Sequence, residues 1–160
     1  MEPGILSNTF DVRRLGEEDV GLIYDLCCKH QIFYQYHPPF VTEESIREDM
    51  RALPPGKDYG DKYYIGFFEE ETLVAIMDVI LAYPEEDIAF IGLFMINSEY
   101  QNRGIGSKIV AECVEGLRKS GFHRIRLGVD KGNPQSNAFW KKNGFAVVQE
   151  EKYIVMELSF

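Results

Sequence analysis

Cysteine, histidine and tryptophan are scarce in this chain, with three Cys, three His and one Trp among 160 residues. Cys27 and Cys28 are adjacent and Cys113 stands apart, so no CxxC spacing offers a zinc site and no disulfide framework is implied. The three are expected as reduced thiols in or near a helix core, which fits a reducing cytosol. Long apolar runs are missing too: nothing approaches the roughly 18 uninterrupted apolar residues of a membrane span. The opening Met1-Glu2-Pro3-Gly4 is acidic and does not follow the basic-then-apolar order of a signal peptide. A cytoplasmic protein without membrane contact is therefore expected. Basic residues are outnumbered, 17 against 26 acidic, for a net charge of −9. That overall field repels nucleic acid and argues against it as a partner. It would attract a cationic substrate, although solubility alone accounts for such a charge.

What is present suits one compact domain over residues 1–160, for 45% of the residues are hydrophobic and 13% aromatic. Phe10 and Val12 alternate in a half-buried strand from Thr9 to Arg14. Val20, Ile23 and Cys27 recur at helical spacing, and Thr42 is placed to cap a helix whose stripe is Ile46, Met50 and Leu53. Three runs rich in β-branched and aromatic residues follow, Tyr63 to Phe68, Leu73 to Leu81 and Ile88 to Ile96, separated by acidic turns. They read as an antiparallel meander, and the third is apolar enough to be a central strand covered on both faces. A helix then carries Ile105, Ile109, Cys113 and Leu117 on one stripe and stops at Gly121. Arg124 to Val129 returns as a parallel strand, Asn133-Pro134 opens a further helix, and two strands to Leu158 close the chain. The fold class is mixed α/β, a largely antiparallel sheet flanked by helices.

The informative segment is Gln101-Asn102-Arg103-Gly104-Ile105-Gly106-Ser107, between the buried strand and the long helix. Glycines at a helix N-terminus let a ligand reach the backbone, where unpaired N–H groups sit at the positive end of the helix dipole. That arrangement binds phosphate or pyrophosphate, and Arg103 adds a local positive charge. The plain alternative is a glycine-rich helix start with no ligand. A P-loop is excluded, since Ser107-Lys108 is in the wrong order and no glycine stands five residues before Gly106. A dinucleotide fingerprint gains Gly104, Gly106 and the strand-end Asp130, but has Ile109 at its third position and follows a meander of the wrong topology.

Gln101-Asn102-Arg103-Gly104-Ile105-Gly106 resembles the coenzyme A pyrophosphate loop of the GNAT acetyltransferases, [Q/R]-x-x-G-x-[G/A]. A second segment, Asn133 to Phe145, is similar to the family's later one: an asparagine, a short helix with an aromatic near its end, then Gly-Phe. The resemblance implies a GNAT-type fold and acetyl-CoA as co-substrate, with direct transfer to an amine; no covalent enzyme intermediate and no metal are expected, because no Cys/His pairing is suggested. It implies that Phe94, Met95 and Ile96 pair through their backbone with the pantetheine arm. The backbone from Arg103 to Ser107 would hold the pyrophosphate, with Gln101 and Asn102 beside it. Asn133 would bond the pantetheine arm or serve only as a helix cap. Dimers are common in the family, so a homodimer is an option.

The chain departs from the family pattern at one position. Many members carry a tyrosine four residues before the Gly-Phe pair to protonate the leaving thiolate; this chain has Trp140, whose indole donates a hydrogen bond but is no usable acid. Trp140 would pack against the cofactor arm or in the core. A GNAT-fold acyl-CoA-binding module without catalytic activity is the alternative that this departure keeps open. For a base, the strand Ile88 to Ile96 has no carboxylate. Asp78, alone in the apolar run Val74 to Leu81, is the candidate general base or ammonium anchor, or else a structural acid. Glu99 is a weaker candidate. Tyr34, Tyr36 and Tyr83 are candidates for lining the acceptor pocket, with core packing as their ordinary alternative. The acceptor, a small-molecule or peptide amine, stays open.

Overall fold

The computed structural model describes Met1–Phe160. Its centre is a seven-stranded sheet in the order β1-β2-β3-β4-β5-β7-β6. In chain order the elements are β1 (Asp11–Arg14), α1 (Val20–Cys27), α2 (Gln31–Tyr36), α3 (Glu43–Arg51), β2 (Lys62–Glu69), β3 (Thr72–Leu81), β4 (Ile88–Ile96), α4 (Ile105–Lys119), β5 (Arg124–Asp130), α5 (Pro134–Lys142), β6 (Ala146–Glu150) and β7 (Tyr153–Ser159). Every neighbouring pair is antiparallel except β4 with β5. This parallel pair is the strand–helix–strand unit that the stripe of α4 predicted. The three-strand meander falls within a residue of its sequence boundaries. The opening strand is shorter than read, because Ser7 and Glu112 take the backbone N–H groups of Thr9, with Ser7 also holding that of Phe10, before pairing with β2 begins.

Two cores sit on the two faces of the sheet. One joins the inner stripe of α4 (Ile109, Val110, Cys113, Leu117) to Trp140 and Phe145 and to Ile65, Val79, Ala89 and Ile91 of the strands. The other packs Val20, Ile23, Leu26 and Cys27 of α1 and Ile46 of α3 against Tyr64, Ile76 and Met95. Thr42 caps α3 as expected: its hydroxyl accepts from Ser45 N at 3.0 Å and the Ser45 hydroxyl accepts from Thr42 N at 2.9 Å. Leu53 lies beyond the end of that helix, which stops at Arg51. The three cysteines are free thiols, Cys27 and Cys113 buried.

Strand β4 governs the site. Against β3 its register runs from Leu81↔Ala89 to Val79↔Ile91, then slips so that Asp78 faces Leu93. Gly92 is the extra residue of this bulge, and a bulge bends and twists its strand. Pairing with β5 stops at the same place, covering only Ile88↔Arg124 to Ile91↔Leu127. Beyond it β4 stays with β3 and β5 stays with β7, so the sheet opens in a V between Gly92–Ile96 and Gly128–Asp130. Here β4 is not covered on both faces as its apolar sequence predicts. Gly92 is exposed and Leu93 and Phe94 are half-buried, because the gap admits solvent.

Candidate active site

Past the bulge, Asn97 N donates to Val74 O at 2.7 Å, which fixes the alternation of the backbone. Met95 and Leu93 therefore direct their peptide groups to β3, and Phe94 and Ile96 direct theirs into the gap. Of the three residues read as pairing with a ligand, Phe94 and Ile96 present the open backbone, while Met95 is turned to Ile76. Ile96 O already has two side-chain partners, His30 Nε2 at 2.7 Å and Gln101 Nε2 at 3.4 Å. Burial lowers the His30 pKa, opposed by that carbonyl.

The loop before α4 turns sharply, with Asn102 at φ 60° and Gly104 at φ 74° as the helix cap. No side chain caps this helix, and its first turn holds no acidic residue, whereas Arg118 and Lys119 stand in its last turn. The first intrahelical bond is Lys108 N to Gly104 O at 3.1 Å, leaving the earlier N–H groups of the turn for an anion. Gly106 is buried where a Cβ would come within 2.5 Å of Ile96 Cδ1 and 3.0 Å of Phe139 Cε1. Between this turn, the end of β4 and α5 runs a cleft of about 540 Å³. Gln101, Asn102, Gly104, Ile105, Gly106, Ser107, Asn133 and Trp140 all line it, together with Phe94, Met95 and Ile96. The Arg103 side chain points elsewhere, bonding Glu99 O at 3.2 Å over the Tyr100 ring. Asn133 caps α5 by accepting from Ser136 N at 3.3 Å, and its side-chain N–H₂ makes no bond within the chain. A free backbone edge, an uncapped helix turn and a glycine floor fit an amide-bearing arm ending in a pyrophosphate.

A second cavity, about 380 Å³, lies on the other side of the gap. Phe33, Phe94, Ser136 and Trp140 line both spaces, so the two meet through the V. Trp140 is 8% exposed and packs its ring 4.9–5.9 Å from those of Phe94, Phe139 and Phe145. It is thus at once core and cavity wall. Asp78 lines the second cavity. Its Oδ2 accepts from Lys62 Nζ at 2.9 Å; the Lys62 side chain is buried and that of Asp78 is 14% exposed. Its Oδ1 is buried and has no partner. Burial raises the Asp78 carboxyl above the ordinary carboxylate range, and Lys62 partly opposes this. A Cβ on Gly92 would stand 3.3 Å from Asp78 Oδ2, which sets this carboxylate beside the bulge. Asp49 and Asp130 line the same cavity, and His37 Nδ1 lies 3.1 Å from Asp130 Oδ1. No group of three or more His, Cys, Asp or Glu side chains is placed to hold a metal ion, and no helix is long and apolar enough to cross a membrane.

The sequence profile of the Acetyltransferase (GNAT) family matches residues 29–145, well over half of the chain. The chain belongs to that family. A curated relative, the spermidine N(1)-acetyltransferase of Thermoplasma acidophilum, is 21% identical over 91% of this chain and 98% of its own. An acetyltransferase from Thermus thermophilus has a similar structure, with a TM-score of 0.81 and 22% identity over 95% of this chain and 97% of that one. The PaiA N-acetyltransferase of Thermoplasma acidophilum, solved in complex with coenzyme A, gives 0.70 and 20% over 95% and 99%. This GNAT protein is an N-acetyltransferase with the mixed, mostly antiparallel sheet of its relatives.

Within the GNAT fold, Tyr34 lines the second cavity and Tyr36 does not. Tyr36 is two residues further along α2, on its solvent side, and is 37% exposed. Tyr83 lies beyond β3, edge-on to Phe90 at 5.7 Å, and lines neither space. Glu99 is exposed outside both. Among the residues of the two spaces that escaped notice in the sequence are His30, Asp49 and Tyr64. Nothing local marks His30. Tyr64, in a run of apolar and aromatic residues, reads as core.

Proposed function

We propose that the chain transfers the acetyl group of acetyl-CoA directly to a primary amine. The observation that carries this is the V in the sheet, which joins the anion-binding cleft to a cavity containing a carboxylate. Bound acetyl-CoA supplies an activated acyl group: the amide C–N bond forms, the C–S bond breaks and the sulfur leaves as a thiolate, which takes its proton from water. The backbone of Phe94 and Ile96 holds the pantetheine arm, and the N–H groups from Arg103 to Ser107 hold the pyrophosphate. Gln101, Asn102 and Ile105 border it and Asn133 offers its amide. An N–H of β4 in the gap polarises the carbonyl under attack. Asp78, ionised against Lys62, takes the proton that the acceptor amine must lose. Trp140 walls the passage and donates no proton; a thiolate of pKa about 8.5 leaves without an acid. Tyr34 lines the acceptor side.

Thermal unfolding with and without acetyl-CoA, run beside NADH, tests the cleft. At about 100 times its dissociation constant the cofactor adds about 2.7 kcal/mol, a rise of roughly 5–11 °C for a domain of this size. A rise with NADH in place of acetyl-CoA would hand the loop to a dinucleotide instead.

A further inference from the structure

Two buried side-chain polar atoms in the chain have no hydrogen-bond partner, Tyr64 Oη and Asp78 Oδ1. Both belong to residues lining the second cavity. They are also direct partners across β2 and β3, so their side chains stand on one face of the sheet. Tyr64 is buried, at 5% relative exposure. A phenol hydroxyl left unpaired in such a place costs free energy that a ligand bond would recover. Asp49 faces this pair from α3 at the cavity rim. Its carboxyl is raised by partial burial and by the Asp78 charge, and Tyr64 is raised by burial and by Cys27, Asp49 and Asp78. The nearest cation, Lys62, is held on Asp78 Oδ2 and lines no part of the cavity.

We infer that the acceptor is a dication: a linear primary amine carrying a second ammonium, whose far nitrogen sits between Tyr64 Oη and Asp49. This rests on the acetyl-transfer reading above, in which the near nitrogen stands by Asp78 at the Gly92 bulge. Tyr64 is one strand further from the gap than Asp78, so the two nitrogen seats are at least about 5 Å apart, a spacer of about three methylenes or more. The far ammonium donates to the Tyr64 oxygen and to the Asp49 carboxylate, which supplies the orphan phenol with a partner. An amino acid would bring its carboxylate to Asp49, with no free cation to receive it. A neutral amine tail would leave Tyr64 Oη unpaired.

Calorimetric titration of 1,4-diaminobutane and of n-butylamine into the full chain without cofactor tests the seat. The diamine is expected to bind at least tenfold more tightly. Tyr64→Phe and Asp49→Asn, both of which keep the shape of the site, should each bring the ratio of the two affinities close to one. Equal affinities in the unaltered chain, or a ratio untouched by both substitutions, would overturn the inference. Release of free thiol from acetyl-CoA is measured separately with the same amines. Thiol released equally with both, alongside equal affinities, would leave acetyl transfer standing and remove the dication. Diamine selectivity without thiol release would do the opposite.

Discussion

Gly106→Ala is expected to weaken acetyl-CoA binding by at least about 100-fold, more than its effect on the stability of the free protein accounts for. The new methyl would lie 2.5 Å from Ile96 Cδ1 and 3.0 Å from Phe139 Cε1. Overpacking of this kind costs about 1–3 kcal/mol, and alanine in place of glycine within a helix returns about 1 kcal/mol. The net loss of stability is therefore about 0–2 kcal/mol. Binding is more exposed to the change, because Ile96 and Phe139 both line the cleft that the pantetheine arm is proposed to occupy. Gly104→Ala should behave in reverse. A Cβ there meets nothing within 4 Å, but φ is +74°, and a left-handed non-glycine residue costs about 1–2 kcal/mol. The melting temperature then falls by roughly 2–8 °C while the backbone N–H groups stay in place. Isothermal titration with acetyl-CoA and a thermal scan of both variants separate the two effects. If both glycines changed binding equally, the cleft would not be the cofactor site.

Asp78→Asn is expected to lower kcat by about 10²–10⁴-fold, the usual contribution of a positioned base. Two effects on stability oppose each other. The carboxylate's own burial cost disappears, but Lys62, with a side chain 4% exposed, loses its only counter-charge. The second wins, since breaking one side of a buried pair typically costs about 3–5 kcal/mol; partial relief leaves a net loss on the order of 2 kcal/mol. Asp78→Asn with Lys62→Met should recover the melting temperature and none of the rate. The pH dependence follows from the raised Asp78 carboxyl. A proton is held more tightly in the folded chain than in the unfolded one, so the stability owed to this group is complete in acid and is lost as pH rises through the folded value. Activity runs the other way, since the base must be ionised. The acid limb of kcat/KM should therefore lie above the ordinary carboxylate value of about 3.9, and Lys62→Met should move it higher still. A limb that ignores Lys62 would remove Asp78 from the proton path.

The parts of the site legible in the sequence are those whose chemistry is local. Gln101 to Ser107 can be read because glycine spacing, helix start and missing cap lie within seven residues. Asp78 can be read because a carboxylate inside Val74–Leu81 has no apolar excuse. Helix phase could have separated Tyr34 from Tyr36, since residues two apart point to nearly opposite sides of a helix. Tyr64 could not be found this way. Its bearing on the site comes from sitting across from Asp78, a register set through the turn joining β2 to β3. His30 and Asp49 likewise reach the cavities through tertiary packing, which leaves no local pattern. The meander was legible in its boundaries, but not in the bulge that opens it, because Gly92 reads as one more small residue in an apolar strand.

That extra residue changes how β4 counts. Before Gly92 the odd-numbered residues, Ala89 and Ile91, face the core of α4 and α5; after it the odd-numbered Met95 faces the core of α1 and α3. The opening is thus specified by chain length more than by side-chain identity. Exchanging one apolar residue for another in this stretch leaves the parity as it is. Removing or adding a single residue restores an unbroken two-residue period with the following residues still on their present layers, and so lets β4 zip onto β5. The segment should accept substitutions freely and tolerate no insertion or deletion.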